Sequence, residues 1–381
     1  MSAENDKHIA ITITSFIEEI PDPRLDRSKL HSLEDIILLT LMATLAGADN
    51  WVHIQAWGET NEEWLKGFLR LPHGIPSHDT LGRVFRMLNP AELGAALSAW
   101  LDAMREGIDG EHIAIDGKTL RRTMDRAEGK SPLHLVNAWA TDSRLCIGTV
   151  AVEAGENEIV AIPRLLGLMD LKGHTVTIDA IGCQRELARA IVEGGGDYLL
   201  RVKDNQPLLA EEMSSFFLDA EQDGFKGQQW HHFEETDGEH GRIEVRRTYT
   251  TNALEWFESR GSWAGLKTLV VQRTLRTCGA KESQGLRLFI SSLPAEEVQR
   301  LARLARGHWA VENQLHWVLD MAFDEDQSRA RKDNAPLNLA ALRRLALGLL
   351  KRNKTRKIGL VGKRRLAGWN RDYLIEVLTG R

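Results

Sequence analysis

"IAIDGKTLRRT" occupies residues 113–123. An apolar, β-branched run leads to a carboxylate, and Gly and a cluster of cations follow at once. Ile-Ala-Ile predicts a strand. Asp116 belongs at its end, because an ionised carboxylate inside a strand would be costly to bury. The same pattern returns in "TVTIDAIG", residues 175–182, where Asp179 follows a β-branched run. Carboxylates at the ends of neighbouring strands repel each other. A divalent cation removes that repulsion, and hard cations such as Mg²⁺ favour oxygen ligands. The simpler reading of either residue alone is an Asp that caps a turn.

Working outward, "HIAIDG", "LHLVNAWATD" and "LCIGTVAVE" read as three strands in quick succession. "EIVAIPRLLGLMDL" reads as a helix, "HTVTIDAIG" as a strand, "QRELARAIVEGG" as a helix ending in Gly, and "DYLLRVK" as a strand. That order predicts an α/β fold with a mixed sheet. The chain divides into a helical region over 1–108 and the first part of the α/β core over 109–225. A β-rich insertion then covers 226–293. One long helix from near Ala295 through "EEVQRLARLARGHWAVENQLHWVLDMAF" completes the core over 294–350, and a basic tail follows over 351–381. In the N-terminal region, Ser77 sits where an N-cap belongs before "HDTLGRVFRML", and Pro90 opens the next helix. Trp57, Trp64 and Phe68 recur at helical spacing and are expected in the core.

The 381 residues are 43% hydrophobic and 27% charged, an ordinary globular composition with length for two or three domains. The apolar run Ile36–Ala46 is too short to cross a bilayer, so no membrane role is expected. "MSAENDKHIA" lacks the order of a signal peptide. Cys146, Cys183 and Cys278 stand far apart, which argues against disulfides and a cysteine-based zinc site and for the cytoplasm. The net charge of −5 speaks against a uniformly basic protein. Its distribution matters more: from Arg343 to Arg365 there are many cations and no acid. That stretch is either a solvated tail or one that follows a phosphate backbone, with Lys351 and Arg352 in it.

The third acidic candidate is Glu312, in "GHWAVENQLHWVLD". On a regular helix His308, Glu312 and His316 would stack on one face, and an acid among Trp, Val and Leu needs a partner. A surface ion pair would explain it. A ligand role completing an Asp116–Asp179 site would too, and a zinc site of His308, Glu312 and His316 is a further alternative, although the spacing is not the H-E-x-x-H pattern. Two Asp and one Glu around two metal ions suit phosphoryl transfer.

"AIDGKTLRRT", "TIDAIGCQ", "DYLLRVKDNQ" and "HWAVENQLHWVLDMAFDED" together resemble the DDE transposases of bacterial insertion sequences, in particular the group that includes the H-repeat-associated proteins. "GIPSHDTLGRVF" and "AGADNW" resemble that group's N-terminal associated domain, so the likeness covers nearly the whole chain. It implies a ribonuclease-H-like mixed sheet core with an inserted β region, preceded by a small helical domain. It also implies Mg²⁺ or Mn²⁺, cleavage of the ends of an insertion sequence followed by strand transfer, and Asp116, Asp179 and Glu312 as catalytic residues and metal ligands. The implied partners are DNA, namely terminal inverted repeats and a target, and a second copy of the chain in a homodimer on DNA. The implied location is the nucleoid in the cytoplasm. Related enzymes surround the Glu with Y-x2-R-x3-E-x6-K; here Ala305, His308 and Leu319 stand at the Tyr, Arg and Lys positions. Leu319 cannot do what a lysine would.

Lys118, Arg121 and Arg122 after the first ligand are expected DNA contacts, with Lys203 and Asn205 at a strand end and His308, His316, Lys351 and Arg352 further on. Asp320, Asp324, Glu325 and Asp326 crowd beyond Glu312 and compete with it for the ligand role. The rival functions are a nuclease of the same fold and a domesticated or inactive descendant kept as a DNA-binding protein. An acid/base glycosidase using two of the carboxylates is a third rival, one that would work without metal.

Overall fold

The structure is a computed structural model that describes residues 15–103, 110–125, 129–227, 229–239, 242–279 and 281–379. Two compact units are present. One contains the described residues of Met1–Ile108, Gly117–Ala154 and Glu312–Arg381, and the other those of Asp109–Asp116 and Gly155–Val311.

In the second unit the first half of β1 (His112–Leu120) lies parallel to β4 (Thr175–Ile178), and β4 lies parallel to β5 (Asp197–Val202). The linking helices are α5 (Glu158–Leu166), capped by the Asn157 side chain, and α6 (Arg185–Glu193). The apolar runs in β4 and β5 are buried, as parallel strands under helices must be. The stretch expected to be an insertion continues this same sheet. β9 (Lys281–Ser291) pairs antiparallel with β5, and β8 (Thr268–Cys278), β7 (Arg242–Thr251) and β6 (Trp230–Glu239) follow in order. Pairing with β9 satisfies the backbone edge that β5 would otherwise expose. Helix α7 (Pro207–Gln222), unread in the sequence, stands between β5 and β6; Pro207 at its first turn was the available signal. Helix α8 (Val298–Gly307) buries Leu301, Leu304 and Ala305 against Leu199, Val270 and Phe289 of the sheet.

The long helix expected from Ala295 onward is interrupted. α8 ends at Gly307, a π-type turn covers Val311–His316, and α9 (Trp317–Phe323) resumes. A wider turn rotates successive residues differently from an α-helix. His308, Glu312 and His316 accordingly have different environments rather than one shared face.

The first unit holds the N-terminal helices α1 (Leu33–Leu45), α2 (Trp51–Leu65), α3 (His78–Met87) and α4 (Pro90–Ala103), with the hairpin of β2 (Leu133–Ala140) and β3 (Leu145–Ala151). Ser32, Asn50 and Ser77 cap the first three helices. The expected tail is instead α10 (Ala335–Arg352), α11 (Leu360–Trp369) and α12 (Arg371–Leu378). α10 packs against α1, α3, α4 and β3. Several of its cations turn inward. Arg343 is 1% exposed, and its guanidinium donates to the Asp49 carbonyl at 2.9 Å. Arg344 holds the fully buried Glu325 at 2.8 Å and the Asn137 amide oxygen at 2.6 Å. Lys363 donates to the Leu350 carbonyl, and Arg364 to the Thr44 carbonyl and to Asp49. Those four cannot form a solvated tail. Trp57, Trp64 and Phe68, expected in the core, are half-exposed and pack edge to face on one another. No helix of the described residues is long and apolar enough to cross a membrane.

Candidate active site

The β1–β4 register ends on the pair Ile115–Ile178. Asp116 and Asp179 are each the next residue along parallel strands, which lie roughly 4.8 Å apart. Both are half-buried. Asp179 follows the last residue of β4, at the carboxyl end where parallel α/β sheets present their ligand sites. The strand end expected at Asp116 is not one: β1 runs on to Leu120, and only its parallel pairing with β4 stops at Ile115, so the half-exposed carboxylate is tolerated within the strand. Strand alternation puts Asp179 on the face that carries Thr177, which is also the face α8 covers. Glu312 is exposed and begins the last segment of the first unit, so the desolvation argument made for it from sequence does not apply. Among the described residues no group of three or more His, Cys, Asp or Glu side chains is gathered closely enough to hold a metal ion.

The surroundings of Asp179 are built in detail. Arg201 Nη1 donates to its Oδ1 at 3.1 Å. Burial works to raise the carboxyl's pKa, but the hydrogen bond from the Ala180 amide and the Arg201 charge outweigh it, and the group is held below the usual carboxylate range. Asn205 donates to the Ala180 carbonyl at 2.6 Å, and Gln206 to the Cys183 carbonyl at 2.9 Å. The loop after β5 thereby fixes the turn that carries Asp179. Gly182 is required in that turn, because a Cβ there would stand 2.2 Å from the Ile178 side chain.

Below Asp179, the Thr177 hydroxyl joins two imidazoles. It lies 2.7 Å from His112 Nε2 and 3.0 Å from His308 Nδ1. Burial pushes His112 down to about 3 and His308 down to about 4, so both rings are neutral near pH 7. A hydroxyl can donate to one neutral ring and accept from the other. The chain fixes the carboxyl-terminal end of α8 against β1 and β4. Gly307 permits this approach, since a Cβ there would lie 2.9 Å from His112 Nδ1.

The other predicted contacts divide. Lys118 is buried and bound by Asp320 at 2.6 Å, so it neutralises an acid instead of awaiting a phosphate. Burial raises the Asp320 pKa against that pairing. His316 faces the Asn137 amide at 3.2 Å, and burial lowers it to about 3. The Lys351 ammonium lies 4.9 Å from the Trp139 ring centroid, where burial lowers its pKa to about 8, and Arg352 is half-buried. Arg121, Arg122 and Lys203 are exposed, with Arg121 3.5 Å from Asp326 and Lys203 3.5 Å from Asp204. Of the acids competing with Glu312, Asp320, Glu325 and Asp326 have these cationic partners. Asp324 terminates α9 in the left-handed region at φ 51°. The sequence reading missed Arg201, Thr177 and His112. The signal for Arg201 was its place in "DYLLRVK", where a cation interrupts an otherwise apolar strand beside the one that carries Asp179.

Comparison with known proteins bears on this arrangement. The model described as "Transposase DDE domain" matches residues 108–349, well over half of the chain. The chain belongs to the DDE transposase family. Residues 14–101 match the domain described as "DDE_Tnp_1-associated", so the helical N-terminal region and the ribonuclease-H-like mixed core are both those of the family. The "Putative transposase YncI" of Escherichia coli O157:H7 is 37% identical over 372 residues, 97% of this chain and 94% of that protein. The "H repeat-associated putative transposase YhhI" of Escherichia coli strain K12 is 36% identical over 369 residues, 96% of this chain and 97% of that one. A shorter match, 41% identical over 78 residues, covers 20% of this chain and 83% of the "Inactive transposase YbfQ" of the same strain. The carboxylate pair of this DDE chain is a set of hard oxygen donors just past the parallel pairing of β1 and β4, and that chemistry fits the divalent ion that the family implies.

Proposed function

We propose that this DDE transposase cuts the ends of an insertion sequence and joins them to target DNA, with Asp116, Asp179 and Glu312 as its catalytic carboxylates and Mg²⁺ or Mn²⁺ as cofactor. The observation that carries this reading is the register of β1 and β4, in which Asp116 and Asp179 each follow the last parallel pair, Ile115–Ile178. Two like charges so placed are stabilised by a cation between them. When bound, divalent ions lower the pKa of an attacking water or 3′-hydroxyl and stabilise the leaving oxygen.

The rest is the work of the chain's own residues. Arg201 and the Ala180 amide keep Asp179 ionised, as a ligand must be. The Thr177 hydroxyl and its two neutral imidazoles hold the end of α8, one helical turn before Glu312. Glu312 stands in a π-type turn, a feature that recurs at functional sites and leaves a ligand room to adjust. The substrates are terminal inverted repeats and target DNA, met in the cytoplasm at the nucleoid, and pairing two ends calls for a homodimer on the DNA.

Purified protein incubated with Mg²⁺ and labelled DNA carrying the inverted repeats that flank its gene tests the proposal. Asp116→Ala, Asp179→Ala and Glu312→Ala should each abolish cleavage while leaving DNA binding largely intact. Full cleavage by any one variant removes that residue from the site. A second reading, a descendant that binds DNA without cutting it, is favoured by the relative named inactive. In that case the wild-type chain binds the repeats and never cleaves them.

A further inference from the structure

Arg287 is a half-buried cation on β9 that the roles assigned so far leave unused. β9 pairs with β5 so that Phe289 faces Arg201 and Leu288 faces Val202. The pairing ends there, with Lys203 in the bend that follows β5; Arg287, two residues before Phe289, lies on the face of the sheet that Arg201 shares. The Arg287 guanidinium lies 5.6 Å from the ring centroid of Trp309, which is 38% exposed.

The acids of this region are already engaged. Glu244 binds Arg246 at 2.9 Å, Arg276 at 3.3 Å and Arg242 at 3.7 Å. Glu235 binds Arg246 at 3.0 Å, Asp237 binds Arg306, and Asp179 binds Arg201. Among the described residues Arg287 forms no ion pair with a carboxylate. Burial and the charge of Arg201 both disfavour its charged state. An anion arriving from outside would relieve that repulsion. A guanidinium presents paired N–H donors that match two phosphate oxygens, and a ring face fixes its plane.

We propose that Arg287, flanked by Arg201 and Lys203 and backed by Trp309, binds a phosphate of the DNA backbone next to Asp179. The inference rests on the transposase reading and adds a substrate contact on the β5–β9 side of the site.

The test uses the full chain in EDTA, with a labelled duplex bearing the inverted repeats, and follows the binding constant over a range of salt concentrations. Each lost phosphate contact lowers the slope of log K against log salt by about 0.9. Arg287→Gln and Lys203→Gln should each flatten the slope by about that amount, while Arg287→Lys keeps the charge and the slope. Arg247→Gln, on an exposed arginine paired with Glu234, should leave it unchanged. Lys203 is an exposed residue at a strand end, so its variant reads the site even if Arg287→Gln folds poorly. Wild-type slopes in both Gln variants overturn the phosphate site and leave the transposase reading standing. A wild-type chain that does not bind the duplex at all removes the reading beneath it.

Discussion

Lowering the pH from 6.5 to 5 should weaken the second unit through His112 and His308. Both imidazoles have folded pKa values, about 3 and about 4, below the ordinary 6.5 of a free histidine. A base depressed in this way favours folding when it is neutral. Its contribution is complete above pH 6.5 and is lost as pH falls toward the folded value, because the unfolded chain takes up a proton that the folded one refuses. Integrating that difference for the two groups together gives a loss of about 3 kcal/mol between pH 6.5 and 5. The assay is urea unfolding of the full chain across that pH range, read through a transition of the second unit. His112→Gln keeps a polar group near Thr177 and removes one titrating ring, so it should halve the pH dependence. The reasoning fails if that variant shows the wild-type dependence, since the protons taken up on unfolding would then belong to other groups.

Three further outcomes are expected. Arg344→Met leaves the fully buried Glu325 carboxylate without its 2.8 Å partner, and should lower unfolding stability by about 3–5 kcal/mol; a loss under 1 kcal/mol in urea titrations would mean that Glu325 is not charged there. Gly307→Ala drives a methyl into the His112 ring, 2.9 Å away, and should cost about 1–3 kcal/mol of stability; an unchanged melting temperature would refute the close approach. Lys354, Arg356 and Lys357 are exposed cations between α10 and α11, and neutralising all three should flatten the salt dependence of DNA binding if the stretch follows phosphates, with an unchanged slope counting against it.

Much of the second unit was legible because its strands carry local signals. The runs around 112–115, 174–178 and 197–202 alternate or stay apolar as buried strands do, and a carboxylate or polar residue follows each, although β1 continues past Asp116 to Leu120. Asp116 and Asp179 could be picked out for that reason. Glu312 was chosen by a different argument, the cost of burying an acid among aromatic residues, and its exposure removes that argument. Its neighbours Asp320, Glu325 and Asp326 have cationic partners, a fact no spacing could reveal. The cations from Arg343 onward misled in the opposite direction. A run of positive charge reads as a tail because sequence shows charge but not partners, and Glu325, Asp49 and the Thr44 carbonyl lie far away along the chain.

The sequence by itself determined the strands of the α/β core, the helix cap at Ser77, and the two aspartates that follow apolar β-branched runs. These depend on neighbours within a few residues, where backbone preference and side-chain period act directly. Tertiary structure alone decided that β9 closes the edge of β5, that Arg201 rather than Lys118 meets the Asp179 carboxylate, and that Thr177 ties His112 to His308. Those pairings join residues 22 to 131 positions apart, and which of several cations or hydroxyls reaches a given partner is set by strand register and helix packing. A one-residue shift in strand register would turn the strand side chains among them to the opposite face.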